Sequence, residues 1–169
     1  PFLKWAGGKK LLLPKILPYV PEEFDLYHEP FMGGAALFFA LGPEKAILSD
    51  LNGLLVTTYL QVMQDVESVI NELDKIEISK EKYYEIRNLR PETDLMKAVR
   101  FIYLNKTCWN GLYRENKKGE FNVPFGLRDK QHALAVTEPE KLRRASRRLA
   151  NAEVVCRDFK ATAQFAGKD

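Results

Sequence analysis

The sequence contains few of the residues that build disulfide frameworks or metal sites. Its 169 residues include 2 cysteines and 2 histidines. Cys108 and Cys156 lie far apart, and neither has a His or Cys partner at metal-ligand spacing. We therefore expect two reduced thiols, no bound metal and a cytoplasmic location.

Long apolar runs are also missing. No run approaches the roughly 18 residues that cross a membrane, and the first residues lack the order of charged, apolar and small residues typical of a secretion signal. We expect no membrane partner. Because 46% of the residues are hydrophobic, the chain can bury a core as one domain with a modest insert, and we expect a monomer.

The charge is unevenly distributed. The net charge is only +3, but 12 Lys and Arg face 5 Asp and Glu between Arg100 and Arg148. This local excess favours a polyanionic partner. Residues 139–149 predict a basic helix, which is either a solvated surface or a contact to the DNA backbone.

A strand, a tight turn and a helix are predicted over residues 27–39. Gly33 and Gly34 break the chain after a short apolar segment, and an Ala/Leu/Phe run follows. Glycines let the backbone approach a ligand, and the helix start offers unpaired N–H groups. A second apolar strand, 46–49, ends in Asp50, where nucleotide-binding folds place a ribose-binding carboxylate. Together they suggest a nucleoside cofactor, although ordinary tight packing explains the glycines equally well.

The N-terminal segment, residues 1–10, combines a glycine pair with lysines. It is not a phosphate loop, because no Ser or Thr follows the lysines at the required spacing. Trp5 and the neighbouring lysines could stack on a ring and bind a carboxylate or phosphate. Alternatively, Trp5 packs on the core and the lysines are solvated.

Helical patterns occupy the middle of the sequence. We predict one long amphipathic helix over residues 54–73, a second over 79–90 with an N-cap at Ser79, and a third over 95–104. They interrupt the alternation of strands and helices, which indicates an inserted helical subdomain.

Residues 105–126 form the most unusual stretch. Two turn signals, Asn110-Gly111 and Lys118-Gly119, flank alternating polar and aromatic residues, so we predict a hairpin or a pair of loops. Its cations and amides could contact phosphates or base edges, and its aromatics could stack on bases; a solvated hairpin is the alternative. Residues 153–156 then predict a strand, and Asp158 follows at its carboxyl end.

These motifs, in this order, resemble the Dam-like (D12 class) N6-adenine DNA methyltransferases. Residues 2–9 are similar to the family's N-terminal cofactor motif, and residues 29–34 to its glycine motif. Residues 110–112 and 119–126 are similar to its target-recognition hairpin, and the resemblance continues to about Phe159. Ala35 stands where the family often has glycine.

The resemblance implies an α/β fold: a Rossmann-like S-adenosylmethionine-dependent methyltransferase sheet with an inserted helical DNA-recognition subdomain that carries a β-hairpin. The implied domains are residues 1–53 and 150–169 for the catalytic part and 54–149 for the insert. The implied partners are double-stranded DNA and a cognate restriction endonuclease. By position, the cofactor or its product S-adenosylhomocysteine would contact Trp5, Lys9, Glu29, Pro30, Phe31, Gly33, Gly34, Asp50, Asp158 and Phe159. DNA would contact Lys4, Trp109, Asn110, Arg114, Asn116, Lys117, Lys118 and Pro124.

The implied reaction methylates N6 of a flipped adenine, in GATC or a related site. In the family an Asp-Pro-Pro-Tyr motif accepts hydrogen bonds from N6 and stacks on the base. No such tetrapeptide occurs in the sequence. We therefore expect no catalytic residue in these 169 residues and no methyl transfer by them alone. The alternative is a non-catalytic DNA-binding module that retains the fold.

Overall fold

A computed structural model describes residues 1–126 and 136–164, with residues 162–164 as backbone only. Residues 127–135 of the predicted insert and 165–169 of the predicted second catalytic part lie outside the described residues. Three parallel strands form a sheet in the order β1-β2-β3. They are β1 (Tyr27–Glu29), β2 (Ala46–Asp50) and β3 (Ala152–Cys156). The prediction of an α/β fold with these strands is confirmed.

Short helical turns open the chain at Lys9–Leu12, α1 (Leu13–Ile16) and Leu17–Tyr19. Helix α2 (Ala36–Leu41) connects β1 to β2. Within the described part of the chain, five α-helices lie between β2 and β3: α3 (Gly53–Gln64), α4 (Val66–Asp74), α5 (Lys80–Asn88), α6 (Asp94–Thr107) and α7 (Pro139–Leu149). The Ser79 hydroxyl accepts a hydrogen bond from the Lys82 amide, so the predicted N-cap of α5 is confirmed.

The prediction of one long helix over residues 54–73 is wrong, because the helix is divided at Asp65. This residue has φ −149°, outside the helical region, and its carboxylate accepts a hydrogen bond from the Ser68 amide at 3.1 Å. Asp65 thereby ends α3 and caps α4. Side chains that bond nearby backbone N–H groups favour caps over helix interiors, which explains the break.

Helix α3 is central to the packing. It contacts α6 and α7 as well as β2 and β3. Leu55 and Tyr59 of α3 are completely buried and belong to the same hydrophobic cluster as Leu48 of β2. The helices and the sheet therefore share one core. In the described part of the chain, none of the helices combines the length and hydropathy that crossing a bilayer requires.

Left-handed residues mark both ends of α2. Gly42, with φ +60°, ends the helix, and its amide donates to the Phe38 carbonyl at 2.8 Å. Ala35, with φ +48°, precedes it and is fully buried. This conformation favours glycine, so an alanine carries some backbone strain here.

Candidate cofactor site and nucleic-acid interface

The carboxyl ends of the three strands bring together the predicted cofactor residues that follow them. Asp50 ends β2 and pairs in register with Cys156, the last residue of β3. Phe31, after β1, and Phe159, after β3, have ring centroids 5.2 Å apart. Both rings are exposed, at 60% and 46% of their surface. The edge thus carries the Asp50 carboxylate and two accessible aromatic side chains, at the position where open α/β sheets bind ligands.

The glycine turn is bonded directly to Asp50. The Gly33 amide donates to one carboxylate oxygen (Oδ2) at 3.0 Å, and the Asn52 amide donates to the other (Oδ1) at 3.0 Å. The Met32 amide also donates to the Ser49 carbonyl at 2.9 Å. These bonds fix the carboxylate between the two loops. Because each carboxylate oxygen has two lone pairs, acceptor capacity remains for ligand hydroxyls.

Trp5 covers the turn. A Cβ atom added at Gly33, where φ is +45°, would lie 2.6 Å from Cδ1 of Trp5. The indole also stacks on Tyr113, with centroids 5.5 Å apart, and lies 6.2 Å from Phe101. Trp5 therefore packs against the core, the alternative left open by its sequence. It also joins the turn to the 105–126 segment. No pattern in the sequence indicated Tyr113 as its partner.

Lys9 and Glu29 form a second connection to β1. The Lys9 ammonium donates to a Glu29 carboxylate oxygen and to the Phe31 carbonyl, both at 2.9 Å. Glu29 is 3% exposed, and its other oxygen accepts from the Tyr27 hydroxyl at 2.9 Å and the Phe38 amide at 3.3 Å. Burial and the Glu29 carboxylate raise the pKa of Tyr27. Glu29 thus anchors Lys9, and Lys9 holds the chain beside Phe31.

Two other predicted cofactor residues flank this cluster. Pro30 follows Glu29 in the chain and is half-buried. Asp158 is exposed, and its carboxylate accepts from the Lys160 amide at 2.8 Å, which caps the turn that begins at Phe159. A residue that the sequence analysis missed is Tyr59. Burial, then Glu29 and Asp50, raise the pKa of its hydroxyl. Its place in the apolar stripe of α3 gave no sign of its nearness to the two carboxylates.

The 105–126 segment contains two isolated antiparallel bridges, Cys108–Phe125 and Glu115–Phe121. A regular hairpin with paired strands is therefore not confirmed. Its beginning is tied to the N-terminal segment by the buried side chain of Asn105. This side chain accepts from the Lys4 amide at 2.9 Å and donates to the Lys4 carbonyl at 2.8 Å. In the sequence, the one indication of this role is that Asn105 is a polar residue at the end of the apolar stripe of α6.

Further contacts shape the tip of the segment. The Asn116 side-chain oxygen accepts from the amides of Lys118 and Glu120 at 2.9 and 3.0 Å. Its amide group donates to the Glu120 carboxylate at 3.0 Å. Asn116 therefore stabilises the turn and has little capacity left for a base edge. The Arg114 guanidinium donates through Nε to the Asn122 side chain at 2.8 Å.

All of the predicted DNA-contacting side chains are exposed: Lys4, Trp109, Asn110, Arg114, Asn116, Lys117, Lys118 and Pro124. Lys4 lies against the turn at Gly111, because a Cβ atom there would be 2.4 Å from Cδ of Lys4. Asn110 adopts φ +54° in the same turn, and the Trp109 amide donates to the Pro124 carbonyl at 2.9 Å. The structure thus gathers these residues on one N-terminal segment and one loop.

Metal ligands do not gather in this region. Within residues 1–126 and 136–164, no three His, Cys, Asp or Glu side chains are placed so that they could hold a metal ion.

Comparison with known proteins gives consistent matches. The model of the D12 class N6 adenine-specific DNA methyltransferase family matches residues 5–169. The chain is 38% identical to the Type II methyltransferase M.MjaIII of Methanocaldococcus jannaschii, over 98% of the chain and 64% of that protein. It is 41% identical to the Type II methyltransferase M1.LlaDCHI of Lactococcus lactis subsp. cremoris, over 75% of the chain and 47% of that protein.

A DNA adenine methylase of Haemophilus influenzae is 35% identical over 100% of the chain and 60% of its own length. The chain thus spans between 47% and 64% of these curated relatives. Since the family model covers nearly the whole chain, this protein belongs to the D12 class N6 adenine-specific DNA methyltransferase family.

Proposed function

We propose that the chain is the cofactor- and DNA-binding part of an enzyme that transfers a methyl group from S-adenosylmethionine to N6 of a flipped adenine, in GATC or a related site. The observation that carries this proposal is the bond between the Gly33 amide and Asp50, at the carboxyl edge of the sheet. The names of the relatives, Type II methyltransferases and DNA adenine methylases, agree with it.

The residues at this edge fit an adenosyl group. Asp50 would accept hydrogen bonds from the ribose hydroxyls, and its acceptors are already oriented by two backbone amides. Phe31 and Phe159 offer exposed ring faces for the adenine, with Asp158 beside them. The bound cofactor would supply an electrophilic methyl group on a sulfonium. The remaining contacts would come from Trp5, Lys9, Pro30, Gly33 and Gly34.

Glu29 would act on the cofactor indirectly. Its side chain is 3% exposed and bonded to Lys9, Tyr27 and the Phe38 amide. A carboxylate held in this way can position Lys9 and the backbone of Phe31 rather than touch a ligand. Lys9 remains partly exposed, so its ammonium group can attract the carboxylate of a bound cofactor.

The N-terminal segment and the 105–126 loop would contact duplex DNA. Arg114, Lys117 and Lys118 project from the loop as exposed cations, and Trp109 presents 41% of its surface. Arginine can bond guanine bidentately, and an aromatic ring can wedge at a base step. Asn116 would serve mainly to hold the loop in shape. In this proposal residues 54–149 form the recognition insert, and 1–53 with 150–169 form the catalytic part.

We further propose that these 169 residues bind both ligands without transferring methyl, because the sequence contains no Asp-Pro-Pro-Tyr motif. An assay with labelled S-adenosylmethionine and a GATC duplex tests this. Robust N6 methylation by the chain would contradict it. For the whole protein, a cognate restriction endonuclease is the proposed functional partner, as the Type II names of two relatives suggest.

The direct test of the cofactor site is calorimetric titration with S-adenosylhomocysteine in the absence of DNA. Asp50→Ala removes acceptors for two hydroxyls and should weaken binding about 10- to 100-fold, as expected for lost bonds to a charged group. Asp25→Ala, an exposed carboxylate before β1, is the matched control and should bind like the unaltered chain.

Because Asp50 also binds two backbone amides, the folding of Asp50→Ala is checked by circular dichroism. Phe159→Ala provides a second variant at an exposed side chain. It should weaken binding about 10-fold through lost stacking. Unchanged affinity in both variants would refute the assignment of this edge. Duplex binding without any cofactor binding would favour the non-catalytic DNA-binding module.

A further inference from the structure

A second basic surface lies apart from the 114–118 loop tip. The N-terminal segment, the end of α6 and the start of α7 enclose a cleft of about 720 Å³. Among the described residues, four lysines line it, Lys4, Lys10, Lys106 and Lys141, together with one carboxylate, that of Glu138. Trp5 and Gly34 of the cofactor assignment also line this cleft, but none of these four lysines belongs to that assignment.

The Glu138 carboxylate is already engaged by two of the lysines. It forms ion pairs with Lys106 and with Lys141, the latter at 2.9 Å. The pKa of Lys106 is lowered, chiefly by burial and further by the nearby charges of Lys141 and Lys4. The ion pair with Glu138 acts in the opposite direction and raises it. Because four lysines face one carboxylate among the described lining residues, the cleft has an excess of positive charge, which its low-dielectric walls concentrate.

Helix α7 extends this charge outward. Its buried stripe consists of Leu142, Ala145 and Leu149. Lys141, which lines the cleft, and Arg144, one helical turn later, are both exposed. Burial lowers the pKa of the amino group of Pro1, another lining residue, and the nearby charges of Lys141 and Arg144 lower it further. Lys10, from the N-terminal segment, is also exposed and lines the same cleft. Exposed cations from two separate segments around one cleft form a track of the kind that follows a nucleic-acid backbone.

We propose that this cleft binds the phosphodiester backbone of the duplex beside the methylation site, with Lys10, Lys141 and Arg144 as phosphate contacts. The inference rests on the proposed function. Lys4 and Asn110, both predicted to contact DNA, line the same cleft, so the phosphate track is continuous with the reading surface. Contacts of this kind position the protein and carry no sequence information.

The test uses a variant that removes the three cations, Lys10→Gln, Lys141→Gln and Arg144→Gln. Fluorescence anisotropy measures its affinity for a GATC duplex and for a duplex of the same length and composition without GATC, between about 50 and 200 mM salt. The affinity should fall at least about 10-fold, by the same factor for both duplexes. The slope of log K against log salt should become less negative by about 2 to 3, or about 0.9 per lost contact.

A matched control removes three exposed lysines outside the cleft, Lys15→Gln, Lys45→Gln and Lys80→Gln, with the same change in net charge. It should change the slope by much less than 1. Arg144→Gln alone, at an exposed position, should reduce the slope by about 1 even if the triple variant folds poorly.

The outcomes separate the two proposals. If the triple variant keeps the slope of the unaltered chain, or loses affinity only for GATC, the phosphate track is refuted while DNA binding stands. If the control loses as much as the triple variant, the effect is one of net charge and the track is again refuted. If the unaltered chain binds neither duplex, both proposals fall.

Discussion

Replacing Gly33 with alanine tests the arrangement of the proposed cofactor turn. The new methyl group would lie 2.6 Å from Cδ1 of Trp5, in a residue with φ +45°. The left-handed backbone costs about 1–2 kcal/mol with a side chain, offset by about 0.4–1 kcal/mol from the less flexible unfolded chain. Moving the indole adds about 1–3 kcal/mol of overpacking. We expect the free energy of unfolding to fall by about 2–4 kcal/mol.

Gly119→Ala separates the two contributions. Gly119 also has a positive φ, +73°, but in the described part of the chain no heavy atom beyond its two chain neighbours lies within 4 Å of the position of a new Cβ atom. It should cost about 1 kcal/mol or less, from the backbone alone. Urea denaturation, followed by tryptophan fluorescence, measures both variants. Equal losses in the two variants would show that Trp5 does not press on the turn, and would refute the reasoning.

Three further substitutions or reactions test other contacts. Asp50→Asn should lower the free energy of unfolding by about 1–3 kcal/mol, because its amide nitrogen cannot accept from a backbone N–H; unchanged urea midpoints would contradict this. Asn105→Asp keeps the acceptor for the Lys4 amide but loses the donor to its carbonyl, and should cost about 1–3 kcal/mol in thermal unfolding; a stabilised variant would count against the pairing. Burial raises the pKa of Cys108 to about 11, so at pH 8 about 0.1% is thiolate. A maleimide should then label the exposed Cys156 alone, as read by mass spectrometry; rapid double labelling would be inconsistent with a buried Cys108.

The location of the candidate cofactor site could be predicted because it depends on local patterns. An apolar run that ends in Asp50 is a strand with a carboxylate at its carboxyl end, and parallel strands place such ends at one edge. Two glycines after Glu29 similarly predict a turn next to that edge. The structure confirms the strands, and the Gly33 amide nitrogen lies 3.0 Å from a carboxylate oxygen of Asp50. The side chains that receive a ligand there remain a proposal.

Contacts between distant parts of the chain could not be predicted in this way. The partner of Trp5 is Tyr113, and no periodicity connects residues so far apart in sequence. The apolar pattern of residues 54–73 continues on both sides of Asp65, so it does not reveal that the helix is divided there. The division depends on the capping hydrogen bond from the Ser68 amide to the Asp65 carboxylate. Turn signals at residues 105–126 predicted a hairpin or a pair of loops. Side chains such as Asn116 bond the main chain there and leave only isolated bridges.

The N-terminal segment connects the two proposed binding regions. Within six residues, the main chain of Lys4 is bonded to Asn105, Trp5 covers Gly33 and stacks on Tyr113, and Lys9 bonds the carbonyl of Phe31. A displacement of Trp5 by a ligand at the glycine turn would therefore also disturb its stacking on Tyr113, next to the proposed DNA-reading loop. Packed side chains have few alternative arrangements, so a ligand bound at the glycine turn can affect the DNA-reading loop through the contact between Trp5 and Tyr113. Amide hydrogen exchange with and without S-adenosylhomocysteine measures this coupling. Slower exchange in the loop when the ligand is bound would show that the two regions are coupled, and unchanged exchange would show that they are not.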